Sequence, residues 1–108
     1  MLGMWKDYAS YIAVLKAISE PTRFRLTRLC AQGELTVSEL TRIVGQSQPR
    51  VSRHLKLLQD AGVLEGFREQ HWVFYRVAQN RQCQQLVSRL LQFLPADDDV
   101  MGLDQALL

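Results

Sequence analysis

Long apolar runs are missing from this 108-residue chain, so no segment matches the roughly 20 consecutive apolar residues of a membrane-crossing helix. The N-terminus lacks the apolar core of a secretion signal, which predicts a cytoplasmic protein without membrane contact. Cysteine is scarce. Cys30 and Cys83 form no metal-ligand pattern, and a reducing compartment leaves them unbridged. Histidine is equally sparse, and neither His54 nor His71 has a carboxylate placed to orient it. No nucleophile–base pair and no glycine-rich cofactor loop are present, so no catalytic residue, cofactor or metal site is expected. Basic residues stop at Arg89, whereas Asp97, Asp98, Asp99 and Asp104 crowd the end. Residues 1–96 therefore carry thirteen basic and seven acidic side chains, a net +6. A basic body with an acidic end suits a nucleic-acid partner.

The most informative stretch runs from Thr36 to Leu58. Thr36 followed by Glu39 is a capping box, so a helix starts near Val37, with Val37, Leu40 and Val44 as its inner stripe. Gly45 ends it, because glycine accepts the left-handed conformation of a helix terminus. Ser47 can cap a second helix, and Pro49 is tolerated in its first turn. Gln48, Val51, Leu55 and Leu58 then share one face. At about 100° per residue, Pro49, Arg53, Lys56 and Asp60 centre opposite that stripe, flanked by Arg50, Ser52 and His54. Cations there meet phosphates, and the polar groups can read base edges. A merely solvated helix face is the alternative, but the short spacing, the glycine turn and the scarcity of acids coincide.

Upstream, residues 5–18 are predicted as a helix with Trp5, Tyr8, Ile12, Leu15 and Ile18 on one side, widened by Tyr11 and Val14. Pro21, capped by Ser19 or Glu20, opens a second helix over about 22–31. It buries Phe24, Leu26 or Leu29, and Cys30, and leaves Arg23, Arg25 and Arg28 wet. Downstream, Gly62 stops the reading helix, and residues 63–77 alternate as a β-hairpin. Val73, Tyr75 and Val77 point one way, Trp72, Phe74 and Arg76 the other. The tip, Arg68 to His71, is placed along the DNA backbone or minor groove. Gln70 and His71 suit a tight turn poorly, which predicts a longer, looser tip. A last helix over 81–94 carries Leu86, Leu90, Phe93 and Leu94 on one side. So wide an apolar band, with the aromatic first helix, points to a subunit interface formed by Tyr8, Ile12, Leu15, Leu86, Leu90, Phe93 and Leu94. Packing of the first helix on the last within one chain is the alternative.

The fold class predicted is mainly α with a small β-hairpin wing, a winged helix-turn-helix in the order α-α-α-α-β-β-α. Residues 1–95 form the DNA-binding and dimerisation domain, and 96–108 an acidic tail or the start of a linker. Leu103 to Leu108 looks like the beginning of another helix.

Taken together, Ser19-Glu20-Pro21-Thr22-Arg23, Glu34 to Leu40, Gln46-Ser47-Gln48, Val51 to Leu55, Gly62-Val63-Leu64 and Val73 to Val77 resemble the ArsR/SmtB family of bacterial winged-helix repressors. The resemblance spans about residues 8–94. It implies a homodimer paired through the first and last helices on a palindromic DNA operator, released by an inducer. The DNA contacts it implies fall on Ser47, Gln48, Arg50, Ser52, Arg53 and His54, with support from Arg68 and His71. Gly45 to His54 and Leu94 to Asp98 are most similar to a subgroup in which such a domain precedes an S-adenosylmethionine-dependent methyltransferase.

The inducer is left unidentified. Arsenic-sensing members carry two cysteines in the third helix, where this chain has Thr36 and Ser38, and hydroxyls are poor soft-metal ligands. Zinc-sensing members carry His and carboxylates on the last helix, and residues 81–94 hold none. Cys30 and Cys83 mimic the pair of sulfur-sensing relatives, but buried, inert thiols are the reading preferred over a redox switch. Three functions compete: a dimeric repressor, the DNA-binding module of a larger methyltransferase, and a winged helix that binds protein. An apolar or acidic outer face on the reading helix would favour the last, against Arg50, Arg53 and Lys56.

Overall fold

The structure is a computed structural model that describes residues 5–95 and 97–108. Asp7 starts the first helix, α1 (Tyr8–Ile18), by accepting the Ser10 amide at 2.9 Å. Trp5, expected inside this helix, lies before it, buried and edge-on to Tyr11. Because the inner line of α1 is Val14, Ala17 and Ile18, Tyr8 and Leu15 face outward, apart from Ile18, with which spacing groups them. Glu20, rather than Ser19, caps α2 (Pro21–Gln32), taking the Arg23 amide at 2.8 Å. Leu26, Leu29 and Cys30 all lie in the core.

The three arginines of α2 depart from expectation. Each is half-buried and each is engaged. Arg23 Nε donates to the Ala17 carbonyl at 2.7 Å, and Arg28 reaches the Met101 carbonyl. Arg25 forms a two-pronged pair with Asp104, at 2.8 and 2.9 Å. Asp104 and Met101 lie more than seventy residues further along the chain, which helical periodicity cannot see.

A two-residue strand, β1 (Leu35–Thr36), leads straight into α3 (Val37–Val44). Both halves of the capping box are present: Thr36 Oγ1 accepts the Glu39 amide at 3.2 Å, and Glu39 accepts the Thr36 amide at 2.9 Å. Gly45 sits at φ 71°, the left-handed region, and closes the helix. After it comes α4 (Gln48–Asp60), burying Val51, Leu55 and Leu58. Gln48, expected on that buried face, is exposed, since its place in the first turn lies beyond the core. Ser47 holds the cap position of α4, but its side chain makes no capping bond. The far end closes with Gly62 at φ 84°: the Val63 amide reaches the Leu58 carbonyl at 2.9 Å and the Gly62 amide reaches Gln59 at 3.0 Å. Both side chains of the Val63–Leu58 pair are buried, which completes a Schellman motif.

Strands β2 (Leu64–Glu69) and β3 (Trp72–Val77) form the hairpin, paired from Leu64↔Val77 to Glu69↔Trp72. The expectation of a long, loose tip is therefore corrected: Gln70 and His71 alone make the turn, with Gln70 forced to φ 57°. The pairing continues to the last residues before the turn, so it tolerates an unfavourable conformation at one side chain. Strand β1 pairs with β3 on the other side, giving a three-stranded antiparallel sheet in the order β1-β3-β2. Asn80 caps α5 (Arg81–Gln92), which ends two residues earlier than expected and buries Cys83 and Val87.

Ala96, where the acidic tail was placed to begin, lies outside the described residues. Beyond it, Asp98 caps a sixth helix, α6 (Asp99–Leu107), which packs on α2 and α3 with Met101 and Asp104 buried. These residues thus join the body instead of trailing from it. Among the described residues the architecture is the expected mainly helical winged fold, with one more strand and one more helix. Among the described residues, no helix is long and apolar enough to cross a membrane.

Candidate nucleic-acid interface

The geometry of the face follows from three buried side chains. Val51, Leu55 and Leu58 seat α4 on the core, and Gln46 ties the preceding turn to α2 by donating to Thr22 Oγ1 at 2.8 Å. With the inner side so fixed, Ser47, Gln48, Pro49, Arg50, Ser52, Arg53 and Lys56 are all exposed. Arg50 and Arg53 make no salt bridge or hydrogen bond among the described residues, so their full charge faces outward. Lys56 differs. Its ammonium lies 3.3 Å from both carboxylate oxygens of Asp60, one turn on, which offsets part of its charge within its own helix. The first turn of α4 also presents amides with no intrahelical partner and an unengaged Ser47 hydroxyl.

His54 does not share the outward position of its neighbours. Its side chain is only 15% exposed and turns toward α2, where Arg23 Nη1 lies 3.1 Å from Nδ1. Burial, aided by the cations of Arg23, Arg50 and Arg53, holds its pKa below the ordinary histidine value, while Glu20 opposes them. The ring is therefore neutral near pH 7.

On the wing, Arg68 and His71 are exposed at the tip, as is Trp72, whose 58% exposure was not singled out from sequence. Arg76 is no part of that tip. It stacks on Phe67 with 4.2 Å to the ring centroid and pairs with Glu65 at 2.8 Å and Glu34 at 3.4 Å. That cluster, with the Phe67–Phe74 stack, stiffens the base of the wing.

The residues assigned to a subunit interface divide in two. Tyr8 and Phe93 are 82% and 84% exposed, and Leu15 is also exposed. Ile12, Leu86, Leu90 and Leu94 are half-buried, so they already cover part of their own core. Both thiols are buried and unbridged. Burial pushes Cys30 up to about 12 and Cys83 up to about 11, and Cys83 donates to the Val63 carbonyl. Thiols held protonated in this way are poor nucleophiles.

Comparison with known proteins places the fold in a family. Residues 20–65 match the family described as bacterial regulatory protein, arsR family. The arsenic resistance transcriptional regulator ArsR1 of Pseudomonas putida is 48% identical over 76 residues, covering 69% of this chain and 59% of the relative. This chain thus spans less than two thirds of that relative. The biofilm growth-associated repressor of Agrobacterium fabrum is 35% identical over 94 residues, covering 87% of this chain and 76% of the relative. Among solved structures, the homodimeric winged helix-turn-helix DNA-binding domain Mb0332 of Mycobacterium bovis, a possible ArsR-family regulator, superposes with a TM-score of 0.72. It is 26% identical, with 85% of this chain and 88% of that one covered.

Proposed function

The chain belongs to the ArsR family of bacterial regulatory proteins, and from that premise we propose that it is a cytoplasmic, homodimeric repressor that reads a palindromic operator. The observation that carries this reading is the outer face of α4, where Arg50 and Arg53 stand exposed without a carboxylate partner. Free cations at that position are positioned to meet phosphates, and Ser47, Gln48 and Ser52 supply groups that can read base edges. The wing tip, through Arg68 and His71, follows the backbone beside them, and Lys56 contributes less than the arginines because Asp60 competes for it.

A homodimer explains why Tyr8 and Phe93 are left uncovered. The homodimeric description of the Mycobacterium bovis domain supports it. Two reading helices about 34–36 Å apart would then meet successive major grooves, one turn of duplex apart. No catalytic role is assigned. Thr36, whose hydroxyl already caps α3, and Ser38 stand where the resemblance implies metal-binding cysteines, so arsenic is not the inducer proposed. Nor is a redox switch at Cys30 and Cys83 proposed, since both thiols are buried and held protonated. The same face would serve a longer chain in which this domain precedes a methyltransferase, a reading that the reading frame after Leu108 tests.

The deciding experiment selects duplexes from a random DNA pool with the full chain and measures binding to the enriched sequence. Enrichment of an inverted repeat, bound by two copies of the chain, supports the proposal. No enrichment, or an enriched site bound by one copy, would sink it. A protein partner captured through the same α4 face in place of DNA would favour the protein-binding alternative.

A further inference from the structure

We propose that Arg23 is a positioning residue for the reading helix: its guanidinium holds the His54 imidazole as the neutral tautomer protonated on Nε2, giving α4 a fixed donor for DNA. This rests on the reading of α4 as the DNA-contacting helix and adds to it a residue from α2 that lies off that face.

The argument begins with donor chemistry. A guanidinium only donates, so the 3.1 Å contact between Arg23 Nη1 and His54 Nδ1 requires a lone pair on Nδ1. A neutral ring with Nδ1 as acceptor must carry its proton on Nε2. No hydrogen bond to Nε2 is present among the described residues, and Nε2 is not among the fully buried unpartnered atoms. Although most of the ring is covered, that donor is therefore left over at its exposed edge. The competing partner is Glu20, whose Oε1 would favour a proton on Nδ1. It lies 3.8 Å away, beyond hydrogen-bond reach, and already accepts the Arg23 amide at 2.8 Å. The cations of Arg50 and Arg53 on α4 further oppose protonation of the ring.

Arg23 is itself held in place. Its Nε donates to the Ala17 carbonyl at 2.7 Å, at the end of α1, and its backbone amide caps onto Glu20. A short chain of bonds thus runs from α1 through Arg23 to the ring of His54. The outer face of α1 carries Tyr8 and Leu15, which the proposed dimer covers. One arginine therefore connects the helix that pairs the subunits with the helix that reads DNA.

The test reads the ring first, without DNA. In the 15N-labelled full-length wild-type chain at pH 7.5, nitrogen shifts of His54 should report an unprotonated Nδ1 and a protonated Nε2. A proton on Nδ1 overturns the proposal with no variant needed. In Arg23→Leu, shown folded by circular dichroism, the ring should become a mixture of tautomers and titrate at higher pH, because a neighbouring cation is gone. An unchanged ring overturns it. Binding is then measured on the duplex that wild type selects from a random pool. His54→Ala and Arg23→Leu should each weaken it about tenfold or more, the scale of one hydrogen bond to a charged group. The double variant should be no weaker than the worse single one. Arg23→Lys, which restores a cation and a donor, should recover part of the loss. Full additivity, or undiminished binding by His54→Ala, overturns the role. If no duplex is selected, the DNA reading itself fails, and the ring measurement tells that failure apart from a failure of Arg23.

Discussion

The outer face of α4 and the apolar outer faces of α1 and the end of α5 are both open, and for opposite reasons. The outer face of α4 shows arginine, serine and glutamine, groups that water solvates well and that need no cover. The outer faces of α1 and of the end of α5 show Tyr8, Leu15 and Phe93, which water solvates poorly. An exposed cation is stable alone and becomes useful when a phosphate arrives. An exposed aromatic ring is a standing cost of roughly 1.5–3 kcal/mol until something covers it. The first surface therefore suits a partner that comes and goes, and the second a partner that stays.

The sharpest break of that contrast is Phe93→Glu. A two-fold interface contains the residue twice, so the dimer should lose about 3–6 kcal/mol, or roughly two to four decades in dissociation constant. The monomer should remain folded, because Phe93 contributes little to its own core at 84% exposure. Sedimentation at micromolar concentration reads the result; an unchanged dimer would place the axis elsewhere.

Asp104→Ala asks whether a buried ion pair, rather than apolar cover, holds α6. Asp104 is 2% exposed and its only salt bridge among the described residues is to Arg25, 2.8 Å away. Removing the carboxylate leaves Arg25 half-buried without a counter-charge, and chemical denaturation should show a loss of about 3 kcal/mol. Because the side chain of Arg25 is 21% exposed, part of the cost is recovered by water, so a loss above about 5 kcal/mol would contradict the geometry.

On the reading face, Arg53→Ala should weaken binding to the selected duplex by about 1–3 kcal/mol and relax its sequence preference if the residue reads a base. Arg50→Ala should act alike on every sequence and lower the salt slope by about two for a dimer, one phosphate per subunit. Equal effects of the two variants on specificity would show that Arg53, like Arg50, meets only phosphate.

The smallest effect concerns the wing. Gln70 holds φ 57°, which costs an L-residue about 1 kcal/mol, so Gln70→Gly should raise stability by about 0.5–1 kcal/mol. DNA affinity should change little, since the side chains of Arg68 and His71 remain exposed beside the turn.

What was legible in the sequence was local. The capping box of Thr36 and Glu39, the glycine stops at 45 and 62, the inner stripe of α4 and the alternation of the hairpin depend on residues within a few positions of one another. Their signals survive in one dimension. The outward cations Arg50 and Arg53 were legible for the same reason, because helical spacing and a buried stripe fix the opposite face. The fates of single polar groups were not. Arg23, Arg25 and Arg28 read as a wet stripe, yet each reaches a partner that the fold alone brings near: His54, Asp104 and the Met101 carbonyl. Strand β1 has two residues, too few for a period, and exists because β3 offers an unpaired edge. The side of α1 that turns inward was set by where α2 and α4 lie. Spacing along the chain determines which faces a helix can have, whereas burial and pairing depend on what else occupies the space, which is a property of the tertiary structure.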